Sequence, residues 1–111
     1  MKITKNMVYK MTDEARELYL YCDNNSRLYR MSIEPLYNAL DKKVKKGVFN
    51  SIKATIAFYH VATLGAKMYG KEFGNGDGLR IFNVQARWTV ACELCGYYRM
   101  NYGDKVQGVE K

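Results

Sequence analysis

The sequence is short of proline, cysteine, histidine and acids, and it has no long uninterrupted apolar run. Each shortage removes a class of protein. One proline, Pro35, in 111 residues leaves no proline-rich linker. With one proline and a single local glycine cluster, a folded domain is expected rather than a disordered chain. Three cysteines are an odd number and too few for a disulfide framework, so reduced thiols in a cytoplasmic setting are expected. No stretch reaches the roughly 20 apolar residues that a membrane-spanning helix takes. The opening MKITKNMVYKM has no continuous apolar core, so no signal peptide is expected either. Internal repeats and low-complexity tracts are also missing. Acids are the scarcer charge: 11 Asp and Glu face 18 Lys and Arg, giving a net charge of +7 and a pI of about 9.3. That balance favours polyanionic partners, namely nucleic acid, a nucleoprotein or an acidic protein surface.

What is present is apolar material for one core. Hydrophobic residues make up 48% of the chain, enough for a single domain of this length. The stretch Val48 to Tyr69 stands out because no charge falls between Lys53 and Lys67. One helical stripe through it is Ile52, Ile56, Tyr59, Thr63 and Ala66. A second is Ala54, Phe58, Val61, Gly65 and Met68. A helix apolar on every side belongs at the centre of a domain, so the remaining segments are expected to pack around this one.

Those segments read as helices with short connections. Thr12 is an N-cap residue followed by Asp13 and Glu14, which suit the first turn of a helix from Asp13 to about Asp23. Its apolar face is Ala15, Leu18, Tyr19 and Cys22. A break is expected at Asp23-Asn24-Asn25-Ser26, followed by a short helical piece, Arg27 to Met31, or else the helix continues through with a kink. Ser32 then reads as the cap of a helix from Ile33 to Lys46, with Pro35 in its first turn. Ile33, Leu36 or Tyr37, Leu40 and Val44 form its buried side, and Gly47 ends it. Asn50 or Ser51 caps the central helix. Gly74-Asn75-Gly76-Asp77-Gly78 is the main loop, and Leu79 to Phe82 is a short extended segment or a lead-in. Asn83 caps a last helix, Val84 to Tyr102, whose stripe is Val84, Trp88, Ala91, Cys95, Tyr98 and Tyr102. The expected fold is all-α, a small single-domain bundle of about four helices around a central apolar helix. A basic arm (1–11, with Lys2, Lys5 and Lys10) and a frayed tail (103–111) flank it.

The strongest candidate site is a lysine cluster. Lys42, Lys43, Lys45 and Lys46, extended by Lys53, fall in a stretch with no carboxylate between Lys42 and Lys53. Grouped lysines neutralise phosphates and release counterions. Arg27 and Arg30 are candidate additions. Lysines give affinity without base readout, and no set of Arg, Asn and Gln looks arranged for that. A helix-turn-helix in its usual form is excluded, because the helix after Gly47 has almost no polar side chains to show a groove.

Other constellations are weaker. Cys92 and Cys95 form a CxxC that, with Cys22 and His60, would count as four zinc ligands. Both cysteines lie on an apolar stripe, where thiols behave as small hydrophobes, so no metal and no cofactor are expected. His60 has no nucleophile or carboxylate in view as a partner, and it reads as a hydrogen-bonded core side chain. No enzyme is expected. The loop at 73–79 lacks the pattern of a phosphate or calcium loop, but its position makes Phe73, Asn75 and Asp77 candidate partner contacts.

Tyr37, Leu40, Lys43 and Gly47, then Phe58-Tyr59-His60, then Ala66-Lys67-Met68-Tyr69-Gly70-Lys71-Glu72-Phe73-Gly74, then Arg87 and Ala91-Cys92-Glu93-Leu94 carry a resemblance. In these positions the chain resembles small helical proteins carried by bacteriophages and related mobile elements. The resemblance implies a genomic context, with action in the host cytoplasm. It also implies a mode of action in which a single-domain protein binds and inhibits a host machine, including nucleic-acid-guided defence complexes of the kind that anti-CRISPR proteins block. Two expectations follow. The first is a non-enzymatic phage-type protein that engages nucleic acid or a nucleoprotein through the lysines. The second is a protein-binding inhibitor that acts by direct contact through exposed tyrosines and the 73–79 loop, with the charge serving an acidic partner surface. A homodimer through a spare apolar stripe is compatible with either.

Overall fold

The computed structural model describes residues 9–74 and 77–101 of the chain. All regular structure among them is helical. Helix α1 spans Asp13–Asn24. Short helix α2, Ser26–Leu28, runs through a π turn, Tyr29–Ile33, into α3, Glu34–Lys45. Helix α4 spans Ser51–Glu72, α5 spans Gly78–Ile81 and α6 spans Val84–Asn101. The shortest dimension of the molecule is 21 Å, about two helix diameters of roughly 10 Å. The helices therefore form an all-α bundle two layers deep.

Capping places the starts of most helices. The Thr12 hydroxyl accepts from the Ala15 N–H at 3.1 Å. Asn50 accepts from the Lys53 N–H, and Asn83 from the Ala86 N–H, each at 2.9 Å. Each cap satisfies an N–H that the first turn leaves without a helical partner. At the end of α3 the Gly47 N–H bonds Val44 O and the Val48 N–H bonds Lys43 O, with Gly47 at φ 74°. This is the left-handed Schellman ending that glycine allows.

The Ser32 cap does not form. Ser32 lies inside the π turn, and the cap is Asn25, whose side chain accepts from the Leu28 N–H at 2.9 Å. The chain stays helical from Ser26 to Lys45 because the Glu34 N–H reaches back to Tyr29 O, one residue further than an α-helical bond. That extra residue turns the face. Leu28 and Ile33, five apart, are both buried, and the same side continues through Leu40 and Val44.

Helix α4 sits against α6, α1, α5 and the π turn. Its inner residues Ala54, Phe58, Tyr59, Val61, Ala62, Gly65, Ala66 and Gly70 are buried. It is not shielded on all sides, however. Val48 lies before the helix and is exposed, as is Ile52 in its first turn, and Lys53, His60, Lys67 and Lys71 face solvent. His60 is thus a surface side chain, contrary to the core position expected for it. The apolar count of the sequence exceeds what four neighbours can cover.

Small residues set the closest approaches. A Cβ on Gly65 would fall 2.5 Å from Cys22 Sγ, where α1 crosses α4. A Cβ on Gly78 would fall 1.7 Å from the Ala66 carbonyl oxygen. Helix α5 therefore rests backbone to backbone on α4, at a place whose sequence reads as a short extended segment or a lead-in.

Aromatic rings fill the two ends of the bundle. At one end Phe49 stacks on Tyr98, with ring centroids 6.1 Å apart, and Tyr37 and Phe58 pack beside them. The buried Tyr98 hydroxyl donates to Asp41 Oδ1 at 2.7 Å. At the other end Tyr69 contacts Phe82, Phe73 and Tyr21. Burial of such rings is the largest apolar contribution that a core this size can draw on.

Helix α6 is more enclosed than its sequence stripe implies. Trp88, Ala91, Cys95 and Tyr98 are buried as expected, but so are Ala86, Arg87, Thr89, Val90 and Leu94, while Val84 is exposed. Thr89, fully buried, holds the incoming chain: its hydroxyl accepts from the Lys10 N–H at 3.0 Å and donates to Lys10 O at 3.1 Å. The Tyr9 hydroxyl donates to Glu93. Tyr9 to Met11 of the expected arm are therefore docked on α6. Residues 1–8 and the tail at 103–111 lie outside the described residues.

Candidate functional site

The end of α3 and the start of α4 carry the lysine cluster. Lys42, Lys43, Lys45, Lys46 and Lys53 are all exposed or half-exposed at the surface. The Schellman ending turns the chain sharply after Lys46, so α4 begins only a few residues later. Val44 packs inward and anchors the helix, while the lysines on either side of it face solvent. Three of them also sit in the last turn of α3, where the partial negative charge of the helix end favours cations.

Lys43 and Lys53 stand on opposite banks of a groove of about 270 Å³. Leu36, Ala39 and Leu40 of α3 and Ala54 and Ala57 of α4 line its floor, with Val48 and Asn50 at one end. The groove combines a positive rim with an apolar floor.

A second, larger groove of about 510 Å³ lies further along the same edge of α4. Lys53 and Ala57 line the first groove, and Leu64, Met68 and Lys71 line the second. These positions share one helical face by their spacing. Arg27 and Met31 form the opposite bank of the second groove, with Tyr21, Asn25 and Glu72 closing it. Lys53 and Lys71 are well separated in the chain, by roughly 27 Å along a helix. Arg27 therefore belongs to the same seam as the lysine cluster but to its far end. Arg30 is exposed on the π turn.

The expected loop contacts separate. Phe73 is exposed, with its ring against Tyr69 at 4.5 Å and Tyr21 at 6.3 Å between centroids. Asp77 works as a helix cap. Its carboxylate accepts from the N–H groups of Leu79 and Arg80, at 3.2 and 3.3 Å, and so starts α5. Asn75 lies outside the described residues.

The cysteines and His60 do not converge. No group of three or more His, Cys, Asp or Glu among the described residues is placed to hold a metal ion. Cys22 is buried against Gly65, and burial pushes its thiol up to about 12, with Asp23 adding to the shift. Burial also raises Cys92, with smaller effects from Cys95 and Glu93. Thiols shifted in this direction are poor nucleophiles and poor metal ligands at neutral pH.

Arg87 is a residue whose importance the sequence pattern does not reveal. It is almost fully buried. Its Nε donates to Phe82 O at 3.0 Å and to Asn83 O at 3.3 Å, and Nη1 donates to Thr63 Oγ1 at 3.0 Å. The guanidinium lies 5.2 Å from the centre of the Tyr59 ring. A buried cation bonded through Nε and Nη1 in this way ties α6 and the residues after α5 to α4.

No known family model matches the chain, and no curated protein or solved structure shows significant similarity to it. No helix among the described residues is long and apolar enough to cross a membrane.

Proposed function

We propose that this chain is a non-enzymatic binding module of a phage or mobile element, and that its lysine-bearing end engages nucleic acid or a nucleoprotein. The observation that carries the reading is the placement of Lys42, Lys43, Lys45, Lys46 and Lys53. All five reach the surface, and two of them rim one groove. A group of unshielded ammonium ions on a rigid helix end follows a phosphate backbone and gains affinity by displacing its counterions. The same surface suits an acidic protein face, which is the competing reading.

A salt titration with generic duplex and single-stranded DNA tests this. If most of the five lysines meet phosphates, the log–log slope of affinity against salt on duplex DNA is about −4. Changing Lys43, Lys45 and Lys46 together to Glu abolishes binding while the helical circular-dichroism signal stays. No binding at low salt overturns the nucleic-acid reading in favour of a protein surface.

A further inference from the structure

The groove at the far end of the seam has a different character from the lysine cluster. Its apolar lining is Met31, Leu64 and Met68. Met31 is 54% exposed, and Leu64 and Met68 are only half-buried. Open apolar side chains beside charged ones offer a seat for the apolar face of a partner. Methionine side chains are flexible and polarisable, and they adapt to an incoming apolar face.

The rim decides what fits. Arg27 and Lys71 stand on opposite banks, and Lys67 is exposed one turn before Lys71. The one acid lining this groove, Glu72, already accepts from the Tyr21 hydroxyl at 2.6 Å. The walls are two helical segments, α4 and the run from α2 into the π turn, which leave a trough for a third. We propose that this groove receives an amphipathic helix of a partner protein, with apolar residues entering over Met31, Leu64 and Met68 and flanking acids meeting Arg27 and Lys71.

Other occupants suit it less. A nucleic-acid strand gains little from an aliphatic floor. The Tyr21 ring already makes edge contacts with Tyr69 and Phe73. A second copy of the chain brings its own charge of +7 against a basic rim. This inference does not depend on nucleic-acid binding at the lysine cluster.

The test uses a labelled synthetic helix with Leu at i, i+3, i+4 and i+7 and Glu on both flanks. A control peptide has Lys in place of every Glu, and a second control is a scrambled sequence. In protein labelled at the methionine methyl groups, the acidic helix shifts the resonances of Met31 and Met68 and leaves those of Met11 and Met100 in place. By fluorescence anisotropy, Arg27→Glu with Lys71→Glu weakens the acidic helix about ten-fold, and Lys43, Lys45 and Lys46 changed to Glu leave it within about two-fold. Equal binding of the lysine or scrambled peptide overturns the proposal. So does loss confined to the lysine-cluster variant, shifts at Met100 instead of Met31, or no binding of the acidic helix. The methyl shifts are read on the unaltered protein, so poor folding of a variant does not blur the outcome.

Discussion

Helices α4 and α6 differ in how far their sequences foretell which sides are covered. Helix α4 has no charge between Lys53 and Lys67, yet one edge of it faces water, with Lys53, His60, Lys67 and Lys71 exposed. Helix α6 carries an arginine and a threonine in its first two turns, yet every residue from Ala86 to Ala91 is buried. The difference lies in what surrounds each helix. The arm at Tyr9 to Met11, α1 and α4 pack on α6 from different sides. Beside α4, the α2–α3 rod stands off far enough to leave two grooves. A polar side chain can be buried when its partners are in place, and an apolar helix can be exposed when a neighbour is missing. Helix α6 is therefore enclosed, and α4 keeps one edge open to solvent.

Three substitutions sharpen that contrast. Arg87→Met should cost most, roughly 2–3 kcal/mol by chemical denaturation, because it strands Phe82 O and Thr63 Oγ1 inside the protein. A loss below about 0.5 kcal/mol, the ordinary size of a surface change, breaks the claim that the guanidinium ties α6 to α4. Thr89→Val keeps the shape and removes both bonds to Lys10. It should cost roughly 1 kcal/mol and speed tryptic cleavage after Lys10, and an unchanged cleavage rate breaks the clamp. Lys67→Met, on the exposed edge of α4, should leave stability within about 0.5 kcal/mol.

Much of the bundle is legible from local signals. The caps at Thr12, Asn50 and Asn83 and the stop at Gly47 depend on neighbours a few residues away, so residue type alone reveals them. The buried faces of α1 and α3 follow the ordinary helical period. The π turn is not legible, because a step of five matches no helical template and Ser32 mimics a cap. Burial of Arg87 and Thr89 is not legible either, since their partners, Thr63 and Lys10, lie far away in the chain. His60 reads as a core residue for the converse reason: nothing in an apolar stretch shows which edge lacks a neighbour. The five lysines are visible as a cluster, but the groove that Lys43 and Lys53 share appears only when α3 and α4 are set side by side. The cap that Asp77 forms is not legible either, because the glycine-rich stretch conceals the short helix that follows it.

Lysine footprinting with an acetylating reagent, with and without duplex DNA, tests most directly whether the end of α3 and the start of α4 form the contact surface. If the lysine-bearing end is the contact surface, DNA shields Lys42, Lys43, Lys45, Lys46 and Lys53 and leaves Lys10, docked on α6, as reactive as before. Shielding of Lys10 while the five stay reactive, or equal shielding of every lysine, would contradict it.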